Sequence, residues 1–173
     1  MSDFYAAGLI HDWPEEDLSQ MKVLCLYSHR YANYRFLGGN SICGRHGRGE
    51  VPKETLQREV ALKSGATILE SRLCHQVILH GGHQRYFYLV LRVSLPDPGQ
   101  FPKETVKLGH GLSKSDSLVC DWVPLEEFVL DLYPAQLTAL GHIIVDMATD
   151  KATGGDFYKA FPALVSDCLS LAY

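Results

Sequence analysis

Gly49-Glu50-Val51-Pro52-Lys53-Glu54-Thr55-Leu56-Gln57-Arg58-Glu59-Val60-Ala61-Leu62-Lys63-Ser64-Gly65-Ala66 joins a helix start, a helix stop and clustered charge in one short segment. It reads as a loop feeding a helix. Pro52 suits the first helical position, where a missing amide proton costs nothing, and Glu54 stands at the positive end of the helix dipole. Gly65 supplies the left-handed residue that commonly ends a helix, so the helix is expected from Pro52 to Ser64.

Counting back from that helix gives Gly44, five residues, Glu50, seven residues, Arg58-Glu59-Val60 and then Gly65-Ala66. The spacing resembles the Nudix box, whose pattern is Gly, five residues, Glu, seven residues, Arg-Glu-hydrophobic, one residue, Glu-Glu, one residue, Gly-hydrophobic. Every defining position fits except the Glu-Glu pair, where this chain has Leu62 and Lys63. The resemblance implies an α/β fold, the α/β/α sandwich on a mixed sheet. It also implies a family activity, the magnesium- or manganese-dependent cleavage of nucleoside diphosphates linked to another group. Carried over by position, it makes Glu59 a metal ligand and catalytic carboxylate, Arg58 the residue that orients it, and Glu50 a supporting carboxylate.

The departure bears on that chemistry. Carboxylates at i, i+3 and i+4 share one helix face and can hold a divalent ion between them, but here that face is expected to carry Glu59, Leu62 and Lys63. Leucine offers no oxygen, and an ammonium about 6 Å from a divalent ion repels it by roughly 1 kcal/mol in water and ~5 kcal/mol at an effective dielectric near 20. Hydrolysis is therefore expected to be weakened or lost, the alternative being a non-catalytic nucleotide-binding or protein-interaction module on the Nudix fold. Lys63, four residues after Glu59 in the favourable orientation for a helical ion pair, has two readings: an ordinary solvated residue, or a built-in cation in the space the family gives to a metal.

The whole chain sets further bounds. Its 173 residues, 46% hydrophobic and 21% charged, suit a core of the size one domain needs, and a formal charge of −4 gives no general attraction to nucleic acid or anionic membrane. The five cysteines are scattered, with no CxxC pair, and no apolar run is long enough to span a bilayer, so a cytoplasmic protein is expected. Residues 1–20 read as a peripheral extension carrying an acidic run at Asp12–Asp17, with Trp13 as a packing anchor. Residues 21–150 read as the Nudix-like domain, and 151–173 as a C-terminal helix packed on it or at a homodimer contact.

Within that domain, Met21–Ser28 and Tyr34–Leu37 read as strands, the second ending at Gly38-Gly39, a pair that resembles the family's entrance to the box. Gly44 matches the box glycine by spacing, while Gly39 is the alternative equivalent. The segment between them and Glu50 contains Arg45 and Arg48, which either contact phosphate beside the helix start or belong to a surface loop. Thr67–His80 and Gln84–Leu95 read as a hairpin turning at Gly81-Gly82, with Phe87, Leu89, Leu91, Val93 and Leu95 facing a helix layer. His80 and His83 flank the turn and make a weak zinc signal. A long connection from Pro96 to Ser115 precedes Asp121-Trp122-Val123-Pro124-Leu125-Glu126-Glu127-Phe128, a strand entering a helix at Pro124 that resembles the late Nudix segment. Asp116, just before it, stands near the place of an extra metal-binding carboxylate in the family. Pro134–Asp150 reads as a helix with Leu137, Leu140, Ile144 and Met147 in its apolar stripe, and a last helix is expected to be capped by Asp156 and kinked at Pro162. The partner implied is a nucleotide or another diphosphate-containing small molecule, for which Lys63, Arg45 and Arg48 are candidate contacts. Tyr34, Tyr86 and Tyr88 are candidates to stack on a base, in competition with ordinary packing.

Overall fold

Strand β1 spans Phe4–His11, β2 Lys22–Ser28, β3 Asn33–Asn40, β4 Thr67–Ile78, β5 Gln84–Ser94, β6 Thr105–Val106 and β7 Leu118–Pro124. In the computed structural model, which describes residues 4–42, 49–96, 105–106 and 118–171, they form a sheet of order β4-β5-β1-β3-β2-β7-β6. The sheet is mixed: β1 pairs parallel with β5 and antiparallel with β3. Helix α1 (Pro52–Ser64) covers one face; α2 (Leu125–Leu130), α3 (Leu137–Thr149), α4 (Gly154–Ala160) and α5 (Pro162–Leu171) gather on the other. The α/β/α sandwich expected from the sequence is the observed architecture.

Period-two alternation explains the two cores. Ala6 and Ile10 of β1, Leu24 and Leu26 of β2, and Leu37 of β3 meet Leu56 and Val60 of α1. Their neighbours Ala7, Leu9, Val23, Cys25 and Phe36 meet Phe128, Leu140, Ile144 and Phe157 on the far side. Gln136, in a 3₁₀ turn ahead of α3, is buried between those layers. Its Oε1 accepts from the Phe36 amide at 3.0 Å and its Nε2 donates to the Tyr5 hydroxyl at 3.1 Å.

Several sequence expectations need correction. Residues 4–11 are no peripheral extension: Ala6 to Ile10 are buried in a strand at the centre of the sheet, where both faces are covered and an apolar run without alternation is what burial selects. The acidic run leads into a 3₁₀ turn, Leu18–Gln20, and Trp13, 37% exposed, packs its ring beside that of His11. Gly38-Gly39 does not end β3 but lies inside it. A Cβ on Gly38 would fall 2.2 Å from the Ala6 carbonyl oxygen, so glycine serves close strand approach there.

In β5, Phe87 and Leu89 do face the helix layer, but Leu91 and Leu95 are exposed and Val93 packs on the α1 side, because the β4–β5 ladder shifts register beside Glu70. Gly81 and Gly82, at φ +87° and +81°, make the expected turn. Leu137 is exposed, and Ile143 takes its place in the buried stripe. The last helical segment is two helices broken at Phe161; Asp156 lies within the first turn of α4 instead of capping it. Phe157, Phe161 and Val165 are buried in the same core cluster as α3.

Candidate functional site

Helix α1 follows the bounds read from the sequence, and its ends show why. Pro52 opens it, the Val51 amide donates to Glu54 Oε2 at 3.2 Å, and Gly65 closes it at φ +74°. Residues three and four apart share a helix face, so Thr55, Leu56, Glu59, Val60 and Lys63 turn inward onto β1 and β3.

Arg58 organises the charged end of that face. Its Nε donates to Glu50 Oε1 at 2.5 Å, Nη2 to Glu50 Oε2 at 3.1 Å and to the Asn40 carbonyl at 2.8 Å, and Nη1 to Glu59 Oε1 at 2.8 Å. One planar guanidinium thus ties the segment before the helix, the end of β3 and the helix itself. Glu50 also accepts from Thr55 Oγ1 at 2.7 Å and the Ile42 amide at 3.1 Å. These donors, the Arg58 bond first, hold the Glu50 carboxyl down at about 2 against the opposing effect of burial, and Glu50 in turn raises the Arg58 pKa.

Lys63 completes the arrangement. Its ammonium is buried, donating to the Gly38 carbonyl at 2.5 Å and lying 3.1 Å from Glu59 Oε2. Of its two readings, the solvated surface residue fails. Glu59 is held from both sides, Oε1 by Arg58 and Oε2 by Lys63, over the bare backbone of Gly39, where a Cβ would fall 2.4 Å from Glu59 Cδ. Leu62 is 70% exposed, so the three positions expected on one face divide: Glu59 and Lys63 point in and Leu62 points out.

The structure therefore brings Glu50, Arg58, Glu59 and Lys63 into one network. Gly44, Arg45, Arg48 and Asp116 lie outside the described residues. Magnesium and manganese are best served by about six oxygen ligands. The described residues offer one inward carboxylate, Glu59, already shared by two cations, and among them no group of three or more His, Cys, Asp or Glu side chains is placed to hold a metal. That donor set does not fit a divalent ion. Beside the hairpin turn His80 is exposed and His83 half-buried, likewise without a cluster. Of the candidate stacking residues, Tyr88 is buried in the core, Tyr86 is half-buried, and Tyr34 donates to Glu127 Oε1 at 2.7 Å.

Sequence reasoning missed the backbone half of the site. The Gly38 and Asn40 carbonyls are invisible to residue-type patterns, although the glycine pair marked the place. Thr55, five residues after Glu50, carried no signal.

No family model matches the sequence, and no curated protein matches it. Solved structures do. A MutT structure from work on Aliivibrio salmonicida and Vibrio cholerae superposes with a TM-score of 0.57 at 17% identity, over 84% of this chain and 99% of that one. A MutT NUDIX hydrolase from Burkholderia pseudomallei gives 0.53 at 13% identity, over 83% and 98%. The chain has the Nudix hydrolase fold. NrtR from Shewanella oneidensis is also similar, with a TM-score of 0.55 at 11% identity over 94% of this chain and 78% of that one. At such identities the likeness concerns the Nudix fold alone, and among the described residues no helix is long and apolar enough to cross a membrane.

Proposed function

We propose that this Nudix-fold chain has weakened or lost pyrophosphohydrolase activity and acts as a metal-independent binding module for a nucleotide or another diphosphate-containing small molecule. The observation that carries this reading is the Lys63 ammonium, buried between Glu59 Oε2 and the Gly38 carbonyl. A bound magnesium or manganese ion would polarise the diphosphate and help activate water. Lys63 supplies positive charge at the same box but has no coordination site for a water, so it can balance charge without generating the nucleophile. Arg58, Glu50 and Glu59 then act as a fixed brace between helix and sheet. Arg45 and Arg48 stay in the proposal as contacts to the diphosphate, and Asp116, a metal carboxylate in the hydrolase reading, has no role in it.

The test is a phosphate-release screen over nucleoside diphosphate sugars, dinucleotides and oxidised nucleotides with manganese, run beside a thermal-shift screen with the same compounds in EDTA. Stabilisation by a diphosphate in EDTA without turnover supports the module. Manganese-dependent turnover abolished by Glu59→Gln establishes a working hydrolase and ends this reading.

A further inference from the structure

The opposite face of the sheet holds a cleft of about 430 Å³, a volume in the range of small-molecule sites, which run from ~300 to 1,000 Å³. It opens where β2, β3 and β7 pass beneath α2, with Cys25 and Val123 in its floor. Those two residues belong to the core on the side away from α1, so the cleft and the Glu59–Lys63 network are separated by the sheet. Two aromatic rings form a wall: Tyr27 and Tyr34 have centroids 5.1 Å apart at 57°, and His29 meets Tyr27 edge-on at 5.3 Å. Tyr34 is fixed by its bond to Glu127 and by packing on Phe128. Asp121, Glu127 and Asp131 complete the lining, and among the described residues no lysine or arginine joins them.

We propose that this cleft binds a small organic cation, an alkylammonium or guanidinium ion. The floor is apolar and suits a hydrocarbon stem. Electron-rich tyrosine faces attract a cation within about 6 Å of the ring, and three carboxylates at the rim add Coulomb attraction from the same direction. The same lining repels phosphate, so the cleft is no extension of the diphosphate site and the inference does not rest on that reading. Aromatic faces without carboxylates would favour a neutral ring, and carboxylates without aromatic faces a hydrated metal ion. It is their combination over an apolar floor that selects an organic cation.

Calorimetry on the full chain at low salt, with agmatine as the guanidinium probe and choline as the quaternary ammonium, tests this. Saturable one-site binding of at least one probe is expected, weakened about tenfold by Asp121→Asn and again by Tyr27→Leu, and unaffected by ADP. Asparagine keeps the oxygen that accepts the Trp122 amide at 2.7 Å, and Asp131→Asn removes a second rim charge without touching that bond. Unchanged melting temperatures establish that the variants are folded. No saturable binding of either probe up to ~10 mM, or binding untouched by both aspartate changes, overturns the proposal. Since ADP is read separately, failure here leaves the diphosphate reading standing, and failure there leaves this one.

Discussion

Lys63→Glu should convert a self-sufficient ion pair into an empty cation seat. In the native chain the Lys63 Nζ is 3.1 Å from Glu59 Oε2 and 2.5 Å from the Gly38 carbonyl. A carboxylate brought to about 4 Å from Glu59 repels it by ~4 kcal/mol at an effective dielectric of 20, and loss of the bond to Gly38 adds ~1 kcal/mol. The Lys63–Glu59 attraction is lost as well, while the Arg58 bond to Glu59 is common to both chains, so the destabilisation is expected to reach at least the ~3 to 5 kcal/mol of breaking a buried pair. Manganese should return much of it. At a hundred times its dissociation constant a ligand of the folded state contributes ~2.7 kcal/mol, which in a chain of this size raises Tm by roughly 5 to 11 °C. Differential scanning fluorimetry in EDTA and in manganese reads both effects, with Lys63→Met as the variant that loses the cation without gaining a ligand. If manganese raises the wild-type Tm as far as that of Lys63→Glu, Lys63 is not the occupant of the seat. If Lys63→Glu in EDTA melts with the wild type, the pair is not formed in solution.

Other outcomes follow from the same contacts. Gly39→Ala pushes a Cβ to 2.4 Å from Glu59 Cδ, so Glu59 must swing away from Arg58 and Lys63 at ~2 to 3 kcal/mol in urea denaturation. Gly38→Ala should cost more, because the Ala6 carbonyl it strikes belongs to the backbone of β1 and cannot rotate aside. Gln136→Leu leaves the buried Phe36 amide without its acceptor and should cost ~2 kcal/mol in the same assay. In acid, the Glu50 carboxyl, held at about 2 by Arg58 against the usual carboxylate value near 4.5, stabilises the fold in full above pH 4.5, and its contribution fades as pH falls toward 2. Glu50→Gln should flatten the stability curve in that window. His75, whose ring stacks on His142 at 4.4 Å, has its pKa lowered by burial and then by that neighbour. Stability should therefore begin to decline as pH drops below 6.5, an effect removed by His75→Phe.

The box helix was legible to the residue because both of its ends are chemical signals: proline without an amide proton at the start, glycine with positive φ at the finish. The hairpin at Gly81-Gly82 and the strand through Trp122 were legible for similar local reasons. What failed were readings that need the tertiary environment. Phe4–His11 looks like a loose apolar lead because its two alanines and Gly8 lack bulk, yet small side chains are what a central strand needs under Leu56 of α1. At the site, the positive charge at position 63 was plain in the sequence, but helical spacing alone cannot choose between a lysine reaching solvent and one turned in. The Gly38 carbonyl decides it, and a backbone acceptor leaves no residue-type trace.

On the proposed reading, the lysine at position 63 bears on what the site can do as well as on what it can hold. A cluster of carboxylates without its ion stores repulsion, so such a fold leans on the metal for stability as well as for catalysis. Here Glu50 and Glu59 stand against Arg58 and Lys63, two negative charges against two positive, and the network is neutral with no ion added. That neutrality limits ligand affinity. A phosphate that draws Lys63 toward itself strips a half-shared, nearly buried Glu59 of one of its two cations, and the cost of that unpaired charge offsets most of the new bond. Binding of a diphosphate compound at this box must therefore be driven by its other groups, with inorganic pyrophosphate alone a poor ligand. A chain that bound pyrophosphate tightly in EDTA through Lys63 would contradict the charge balance itself.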